Sequence, residues 1–398
     1  MDSFDTELQQ RLLAIREQGL LRELRRVDSP QGPRLIIGGR ELLNFSSNDY
    51  LGLANHPALK EAAVRAVEKF GAGAGASRLI CGSLSPHHEL EETLAAFKGT
   101  QAALTFATGS AAALGTIPAL VGKGDTIITD KLIHACIVDA ARLSGAQIRI
   151  FAHNDLNDLE SILKSAANTR NSGLGTRSSS KTLIVTESVF SMDGDHAPLA
   201  DIVALKDKHG AWLMVDEAHA TGLYGPNRRG LVEEHGVSHR IEIQMGTLGK
   251  ALGGSGGYIC GSRPLVDFLV NRARSFIFST APVPAAAAAA TTGIQLVQSS
   301  AGEKLCETLW TNFADFQSPI GDRQSPSRSA IIPIIIGDET AATAVAAQLR
   351  EQNIFIPAIR YPTVARGAAR LRVTLTAAHS TDDITKLTHA LKTLDMGL

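Results

Sequence analysis

The 398-residue sequence lacks several features that mark whole classes of protein. It has only four cysteines and no CxxC pair, which argues against a zinc site or a disulfide framework and favours a reducing compartment. Its formal net charge is -1 with no long block of one sign, so we expect no binding to nucleic acid or to an anionic membrane surface. No apolar run is long enough to span a membrane, and the N-terminus has no apolar signal-peptide core. These absences predict a cytoplasmic protein that binds no metal.

Strand and helix patterns alternate through the middle of the chain. Apolar stretches lie at 103–108, 126–129, 182–188, 212–218 and 258–261, with helical patterns between them. Continuous apolar strands separated by helices predict a sheet that is buried on both faces and mostly parallel, in an α/β domain. Polar residues at the carboxyl ends of such strands point into the crevice where these sheets bind ligands.

Length and composition predict more than one domain. With 44% hydrophobic and 20% charged residues the chain is an ordered globular protein, and it is too long for one ordinary core. We predict an N-terminal helical segment at 1–45, a large α/β domain at 46–288 and a small α+β domain at 289–398. The polar stretch 165–181 is predicted to be a mobile surface loop.

A glycine-rich run at 244–257, "QMGTLGKALGGSGG", surrounds Lys250 and fits neither a regular helix nor a strand. Its glycines relax the backbone and remove side chains, so another backbone or a ligand can approach closely. A solvated surface position is the ordinary interpretation of any single lysine. Whether Lys250 is such a lysine depends on the polar residues predicted to lie near it.

Several polar residues follow the predicted strands. Asp216 ends one strand and His219 follows three residues later, while Ser191 lies beyond the neighbouring strand and His134 follows a third. Taken singly, Asp216 could be a helix cap, and the two histidines could be partly buried residues whose hydrogen bonds are satisfied.

The turn "TFATGSAAALG" runs from a strand through Gly109 and Ser110 into a helix. Amides at a helix N-terminus and the helix dipole favour a phosphate there, although the turn could also be an ordinary one. A phosphate cradle, a buried aspartate, a stacking imidazole and a lysine in a glycine loop are together the parts needed to hold pyridoxal 5'-phosphate (PLP). The lysine amine can form an imine with the PLP aldehyde, and an aspartate keeps the pyridine nitrogen protonated.

Five motifs carry a family resemblance: "LNFSSNDYLGL", "TESVFSMDGDHAPLADI", "VDEAHATGLYG", "GTLGKALGGSGG" and "RLRVTLTAAHS", in that order. In them the chain resembles the α-oxoamine synthases from about residue 40 to its C-terminus. The resemblance implies a PLP-dependent transferase of fold type I, like aspartate aminotransferase, with a large, mostly parallel sheet domain and a smaller C-terminal α+β domain.

The resemblance also implies how the cofactor is held. Lys250 would be the Schiff-base lysine, Asp216 the partner of the pyridine nitrogen and His134 a stacking residue that also acts as an acid. Gly109, Ser110 and Thr247 would contact the phosphate, and Ser191 and His219 would surround the phenolic oxygen. Thr280 would reach the cofactor from the partner subunit of a homodimer.

Substrate contacts are implied in the same way. Arg372 would bind the amino-acid carboxylate, Thr363 would contact the substrate, and Asn48 would reach the partner subunit's site. An N-terminal arginine contacts the acyl substrate in the family. Arg25 is the predicted residue, and Arg22 stays possible because that alignment needs a gap.

The implied reaction is the decarboxylative condensation of an amino acid with an acyl thioester. "AIRYPTV" together with "RLRVTLTAAH" favours L-alanine and a pimeloyl thioester, carried by coenzyme A or acyl carrier protein. The alternative within the family is glycine with acetyl-CoA or succinyl-CoA. Outside it, "GGSGG" matches a serine-hydrolase motif with Ser255 as nucleophile, although that motif needs a strand before it and a helix after it. A cofactor-free binding protein is the second alternative.

Overall fold

The computed structural model describes residues 3–171, 180–320 and 327–394. The chain divides into two compact units, the first made of Met1–Gly52, Met192–Gly194 and Glu307–Leu398, the second of Leu53–Ser191 and Asp195–Cys306. The domain boundaries at residues 45 and 288 stay a prediction. No helix in the described ranges is long and apolar enough to cross a membrane.

Strands and helices alternate along most of the chain. The strands are β1 (Arg34–Ile37), β2 (Arg40–Asn44), β3 (Ala102–Phe106), β4 (Thr126–Asp130), β5 (Gln147–Phe151), β6 (Thr182–Glu187), β7 (Trp212–Asp216), β8 (Ile243–Thr247), β9 (Gly257–Gly261), β10 (Ile331–Gly337), β11 (Ile354–Phe355), β12 (Ala358–Ile359) and β13 (Ala369–Thr374). The α-helices are α1 (Ser3–Glu17), α2 (Pro57–Phe70), α3 (Ser85–Lys98), α4 (Gly109–Leu120), α5 (Ala135–Ser144), α6 (Leu156–Asn171), α7 (Leu199–His209), α8 (Leu231–Glu234), α9 (Arg263–Arg272), α10 (Arg274–Ile277), α11 (Pro284–Gln298), α12 (Ser300–Ile320), α13 (Glu339–Glu351) and α14 (Thr381–Thr393).

Unit 2 is built on a seven-stranded sheet in the order β3-β9-β8-β7-β6-β4-β5. Only β9 runs antiparallel to its neighbours, so the predicted mostly parallel sheet is confirmed. The central strands consist of consecutive apolar residues because both faces of the sheet are buried. In β6, for example, Leu183, Ile184 and Val185 have no exposed surface. The parallel strands therefore present their carboxyl ends along one edge of the sheet.

Helix packing around this sheet depends on small residues. The alanine run in α11 is a packed helix as predicted, with Ala287 and Ala290 buried. Gly293 in the same helix lies so close to a neighbouring loop that a Cβ there would be 2.1 Å from the Leu252 carbonyl oxygen. Close packing of α11 therefore fixes the backbone just after Lys250.

Unit 1 contains two three-stranded sheets. In one, β1 and β2 are antiparallel and β11 pairs parallel to β2; in the other, β13 lies between β10 and β12 and is antiparallel to both. Leu35, Ile37 and Leu42 form a small core against Phe355. The smaller α+β part of the predicted fold is thus confirmed, and the N-terminal strands β1 and β2 belong to it.

Three parts of the sequence prediction differ from the structure. Strand β5 was not predicted because it lies at the sheet edge and its side chains are mostly exposed. The run 244–257 is not wholly irregular, since its first four residues belong to β8, where a Cβ on Gly246 would meet the Tyr258 hydroxyl at 2.3 Å. The predicted loop 165–181 begins as helix, because α6 continues to Asn171, and residues 172–179 lie outside the described residues.

Candidate active site

Two carboxylic acids end neighbouring strands at the carboxyl edge of the unit 2 sheet. Glu187 ends β6 and Asp216 ends β7, and the two are paired in register. Their relative exposures are 2% and 5%. Asp216 Oδ1 accepts a hydrogen bond from the Ala218 amide at 2.9 Å, and Glu187 Oε2 accepts one from the Ser191 amide at 3.2 Å. Glu187 Oε1 is buried without a hydrogen-bond partner among the described residues.

Burial governs the charge state of these two acids. Burial, and next the charge of Asp216, raise the pKa of Glu187 to about 8. Burial also raises the pKa of Asp216, while Lys250 acts in the opposite direction. Two adjacent buried carboxyl groups are costly to ionise together, because their negative charges repel each other and are removed from water. A cation bound at this edge of the sheet would offset that cost. The pair is therefore suited to a positively charged ring nitrogen.

Lys250 lies beside His219. The Lys250 Nζ atom is 2.7 Å from His219 Nε2, and His219 is buried, three residues after Asp216. The glycine-rich loop is folded back on itself: Gly253 N donates to the Lys250 carbonyl at 2.9 Å, and Gly254 N donates to the Leu248 carbonyl at 2.8 Å. The lysine is therefore a half-buried amine on a fixed loop, and the interpretation as a solvated surface lysine does not apply.

Glycine is required in this loop for steric reasons. Gly253 has a φ of +66°, and a Cβ there would lie 2.5 Å from the Leu53 Cβ. At Gly257, a Cβ would lie 2.5 Å from the Gly109 amide nitrogen. These two glycines bring the Lys250 loop and β9 against their neighbours, and the second brings β9 to the start of α4.

The start of α4 has the form of a phosphate cradle. Thr108 caps the helix, its Oγ1 accepting from the Ala111 amide at 3.0 Å. The first amides of a helix, here those of Gly109 and Ser110, have no acceptor within the helix. A Cβ at Gly109 would meet nothing nearer than 3.8 Å, so there is room above the turn. The capping role of Thr108 and an anion site at the following amides are thus compatible.

Thr247 is fixed next to this turn. Its Oγ1 donates to the Gly256 carbonyl at 2.9 Å and accepts from the Gly249 amide at 3.2 Å. The Thr247 Cβ is also among the nearest atoms to Gly109. The structure therefore brings together three residues predicted to meet the phosphate: Gly109, Ser110 and Thr247.

His134 is the N-cap of α5. Its Nδ1 accepts from the Cys136 amide at 3.2 Å and lies 3.0 Å from Cys136 Sγ. Burial lowers the pKa of His134, while burial raises the pKa of the Cys136 thiol to about 12, so a neutral imidazole faces an S–H group. Because Nδ1 accepts from the Cys136 amide it carries no proton, which places the ring proton on Nε2. This bonding satisfies one side of the ring and leaves a hydrogen-bond donor on the other.

These side chains fit PLP. They supply an amine, a buried pair of acids for a ring nitrogen, a helix N-terminus with space above it, and a buried carboxyl oxygen without a partner. Among the described residues no group of three or more His, Cys, Asp or Glu side chains is arranged to hold a metal ion.

The predicted substrate residues of unit 1 fall into two places. Arg372, on β13, is buried, and its Nη1 donates to Thr374 Oγ1 at 3.0 Å. Arg22 donates to the Tyr361 carbonyl at 3.3 Å and lies 3.5 Å from Thr363 Oγ1. The Arg25 guanidinium instead lies over the Phe355 ring at 5.9 Å. Of the two N-terminal arginines, the structure thus brings Arg22 to Thr363.

The two residues predicted to reach a partner subunit are accessible to different degrees. Asn48 is half-buried, and its Oδ1 accepts from the Tyr50 hydroxyl at 3.3 Å. Thr280 is exposed and pairs with Ser77 in an isolated β-bridge.

A comparison with family models matches residues 40–391 to the aminotransferase class I and II model. The chain belongs to this family. Among curated relatives, 8-amino-7-oxononanoate synthase of Geobacter sulfurreducens is 48% identical over 388 residues, covering 97% of this chain and 96% of the relative. The enzyme of the same name from Geotalea daltonii is 46% identical over 394 residues, covering 98% and 97%.

Solved structures give the same result for the fold. Serine palmitoyltransferase from S. paucimobilis, solved with a bound PLP–myriocin aldimine, matches with a TM-score of 0.89 at 30% identity and covers 98% of both chains. The 8-amino-7-oxononanoate synthase from Francisella tularensis matches with a TM-score of 0.72 at 29% identity, over 88% of this chain and 96% of that one. The resemblance to the α-oxoamine synthases and the predicted type I fold are confirmed.

The sequence analysis gave Glu187 no role in the site. The sequence does indicate an acid pair, because Glu187 of "TES" ends one predicted strand and Asp216 of "VDE" ends the next. Cys136 was also missed. Its contact with His134 follows from their spacing at a helix start, which the sequence shows only once the boundary of α5 is known.

Proposed function

We propose that this protein is a PLP-dependent acyltransferase that condenses L-alanine with a pimeloyl thioester, releasing 8-amino-7-oxononanoate, carbon dioxide and the free thiol, as a step of biotin biosynthesis. The 2.7 Å contact between Lys250 Nζ and His219 Nε2, beside the buried Asp216, carries the proposal. The names of the curated relatives support the specific reaction.

The residues of unit 2 would hold the cofactor as follows. Lys250 would bond covalently to its aldehyde carbon, and Asp216 would pair with its ring nitrogen. Ser191 and His219 would bind the phenolic oxygen. The backbone amides of Gly109 and Ser110, with the hydroxyl of Thr247, would bind the phosphate.

PLP supplies an electron-withdrawing ring that stabilises negative charge at the amino-acid α-carbon. Once the amino acid has displaced Lys250 from the aldehyde carbon, the freed amine would take the α-proton, and after carbon dioxide has left it would return a proton to the same carbon. His134 carries its proton on Nε2. We propose that it donates this proton to the thioester oxygen as the new carbon–carbon bond forms, and that it takes the proton back as the carbonyl reforms and passes it to the leaving thiolate. In unit 1, Arg372 is proposed to bind the substrate carboxylate.

Substrate choice rests on size and charge. A guanidinium grips any amino-acid carboxylate, so Arg372 cannot separate alanine from glycine, and one methyl group is worth about 1–3 kcal/mol in a fitted pocket. The pimeloyl chain ends in a carboxylate that an N-terminal arginine can pair with, and Arg22 and Arg25 both line a cavity of about 740 Å³ in unit 1. Glycine with acetyl-CoA or succinyl-CoA is the alternative within the family.

The serine-hydrolase alternative is not favoured by the local geometry. Ser255 lies in the loop that precedes β9, so a strand follows it where the hydrolase motif needs a helix. A visible spectrum separates the remaining alternatives, since neither a hydrolase nor a cofactor-free binding protein absorbs there.

A homodimer in the cytoplasm, with active sites shared between subunits, is also proposed. Two exposed apolar side chains lie within three residues of the bridged pair Ser77 and Thr280 along the chain: Ile80 is 79% exposed and Phe278 is 70% exposed. Exposed apolar groups that form a contiguous patch mark an interaction surface. Burial of this patch against a second copy would place Thr280 at the interface.

The proposed function is tested by incubating the purified protein with L-alanine and pimeloyl-CoA and identifying the product by mass. Pimeloyl acyl carrier protein, acetyl-CoA and succinyl-CoA are compared as acyl donors, each with L-alanine and with glycine, and a Lys250→Ala variant is the control. We expect the native protein to form 8-amino-7-oxononanoate from L-alanine and a pimeloyl thioester, and the Lys250→Ala variant to form none. A higher kcat/KM for glycine with a short thioester would overturn the specific reaction while leaving the family unchanged.

A further inference from the structure

A second cluster of titratable groups lies just beyond the end of β5. His153 Nδ1 is 2.9 Å from Asp130 Oδ1, and His153 Nε2 is 2.6 Å from Asp195 Oδ2. The Asn154 amide donates to the other Asp130 oxygen at 3.0 Å, and its side chain donates to Asp195 Oδ2 at 3.3 Å. Both ring nitrogens of His153 therefore face carboxylate oxygens.

An imidazole bonded in this way is a cation. Neutral histidine has one donor and one acceptor nitrogen, whereas two carboxylate acceptors require two donors. Burial lowers the pKa of His153, but the hydrogen bonds and charges of Asp130 and Asp195 outweigh it and raise the pKa to about 10. Asp130 has no exposed surface; the Leu132 and Asn154 amides donate to its oxygens, and His153 adds the positive charge that offsets the buried carboxylate.

The cluster joins two separate pieces of chain. Asp130 ends β4 inside the sheet, whereas Asp195 belongs to the returning arm of the Ser191 hairpin, residues 188–197. Phe190 N donates to the Asp195 carbonyl at 3.0 Å, and Ala197 N donates to the Ser188 carbonyl at 3.1 Å, which closes the arms of this hairpin. The Phe190 ring also packs edge-on against the His153 ring, with centroids 4.4 Å apart.

We propose that His153 is a positioning residue that fixes Ser191 by clamping the Ser191 hairpin, through Asp195, to the end of β4. Ser191 is buried and its amide is bonded to Glu187, so a shift of the hairpin moves both the serine and the acid pair at the sheet edge. That Ser191 contacts the cofactor rests on the proposed function. The clamp itself rests only on the distances above.

The test compares His153→Gln with the native protein as purified with PLP. His209→Gln is the matched control, because His209 is a half-buried histidine near an acid, Glu160, at the far end of α7. Amide hydrogen exchange is followed in peptides covering 188–197, and the visible absorbance of bound PLP is titrated with pH.

We expect His153→Gln to speed exchange in 188–197 by roughly tenfold or more, the factor that corresponds to losing one charge-assisted hydrogen bond. We also expect a displaced midpoint in the absorbance titration, since the serine proposed to bind the phenolic oxygen has moved. His209→Gln should change neither measurement. Unchanged exchange overturns the clamp. Faster exchange with an unmoved midpoint overturns the positioning of Ser191 and leaves only a structural role.

Asp195→Asn provides a second route if His153→Gln does not fold, because it removes one charge and keeps the side-chain shape. Amide exchange in 188–197 and the absorbance titration of bound PLP are then measured on Asp195→Asn, and the same outcomes support or overturn the clamp. Failure of the proposed function would appear differently: the native protein would show no visible absorbance, and the exchange measurement would still test the clamp.

Discussion

The buried ion pair between Lys98 and Glu217 should stabilise the segment that carries Asp216 and His219. Lys98 Nζ lies 2.5 Å from Glu217 Oε2, and the side chains are 1% and 0% exposed. Lys98 also donates to the Arg229 carbonyl, while Glu217 Oε1 accepts from the Val232 amide at 2.9 Å. Removing the lysine leaves a buried carboxylate that keeps only the weaker of its two hydrogen-bond partners.

We therefore expect Lys98→Met to lower the free energy of unfolding by about 3–5 kcal/mol, the usual cost of breaking a buried pair from one side. The double variant Lys98→Met/Glu217→Met should lose less than either single variant, because no charge is left unpaired. Urea unfolding at one fixed protein concentration, followed by circular dichroism, measures the three losses. A loss below about 1 kcal/mol for Lys98→Met, or additive losses in the double variant, would show that this pair does not stabilise the segment.

Three further predictions concern the active site and a fourth concerns the His153 cluster. Lys250→Ala should lower turnover by orders of magnitude and still retain some PLP through the phosphate cradle, measured by steady-state kinetics and equilibrium dialysis. Asp216→Asn should keep its visible colour yet show little of the longer-wavelength absorbance that L-alanine elicits in the native protein; native-like absorbance would exclude its role at the ring nitrogen. Mixing Lys250→Ala chains with Thr280→Ala chains should restore part of the activity, and no recovery after proven subunit exchange would argue against shared sites. The pKa of His153 is raised in the folded state, so its stabilisation is complete below its ordinary pKa of about 6.5 and is lost as pH rises through about 10. The difference in melting temperature between the native protein and His153→Gln should therefore shrink between pH 7 and pH 11, and a constant difference would contradict that charge.

The sheet and the lysine site could be predicted because their signals are local. Leu183, Ile184 and Val185 are apolar on both faces of β6, and such a run has few alternatives to a central strand. Asp216 and His219 leave one strand end three residues apart, so their proximity follows from the strand alone. The contact of His219 with Lys250 joins positions 31 residues apart, and only the family resemblance indicated it.

The missed features depend on tertiary context. Strand β5 is half exposed at the sheet edge, so its pattern is weak, and missing it also hid His153, which meets Asp130 only when β4 and β5 pair. The helix α6 continues into a polar sequence that composition alone classes as loop. The prediction of Arg25, with Arg22 left possible, stays a prediction, because the segment after α1 has no periodic pattern to set its register.

Borohydride reduction of the purified protein tests whether Lys250 holds PLP. Reduction makes the link between a lysine and the cofactor permanent, and peptide mapping by mass spectrometry then locates the modified residue. We predict a pyridoxyl-phosphate group on Lys250, in the peptide that contains "GTLGKALGG", and no label in Lys250→Ala. Labelling of another lysine in the native protein, or no label in protein that carries the visible absorbance, would show that Lys250 does not hold PLP.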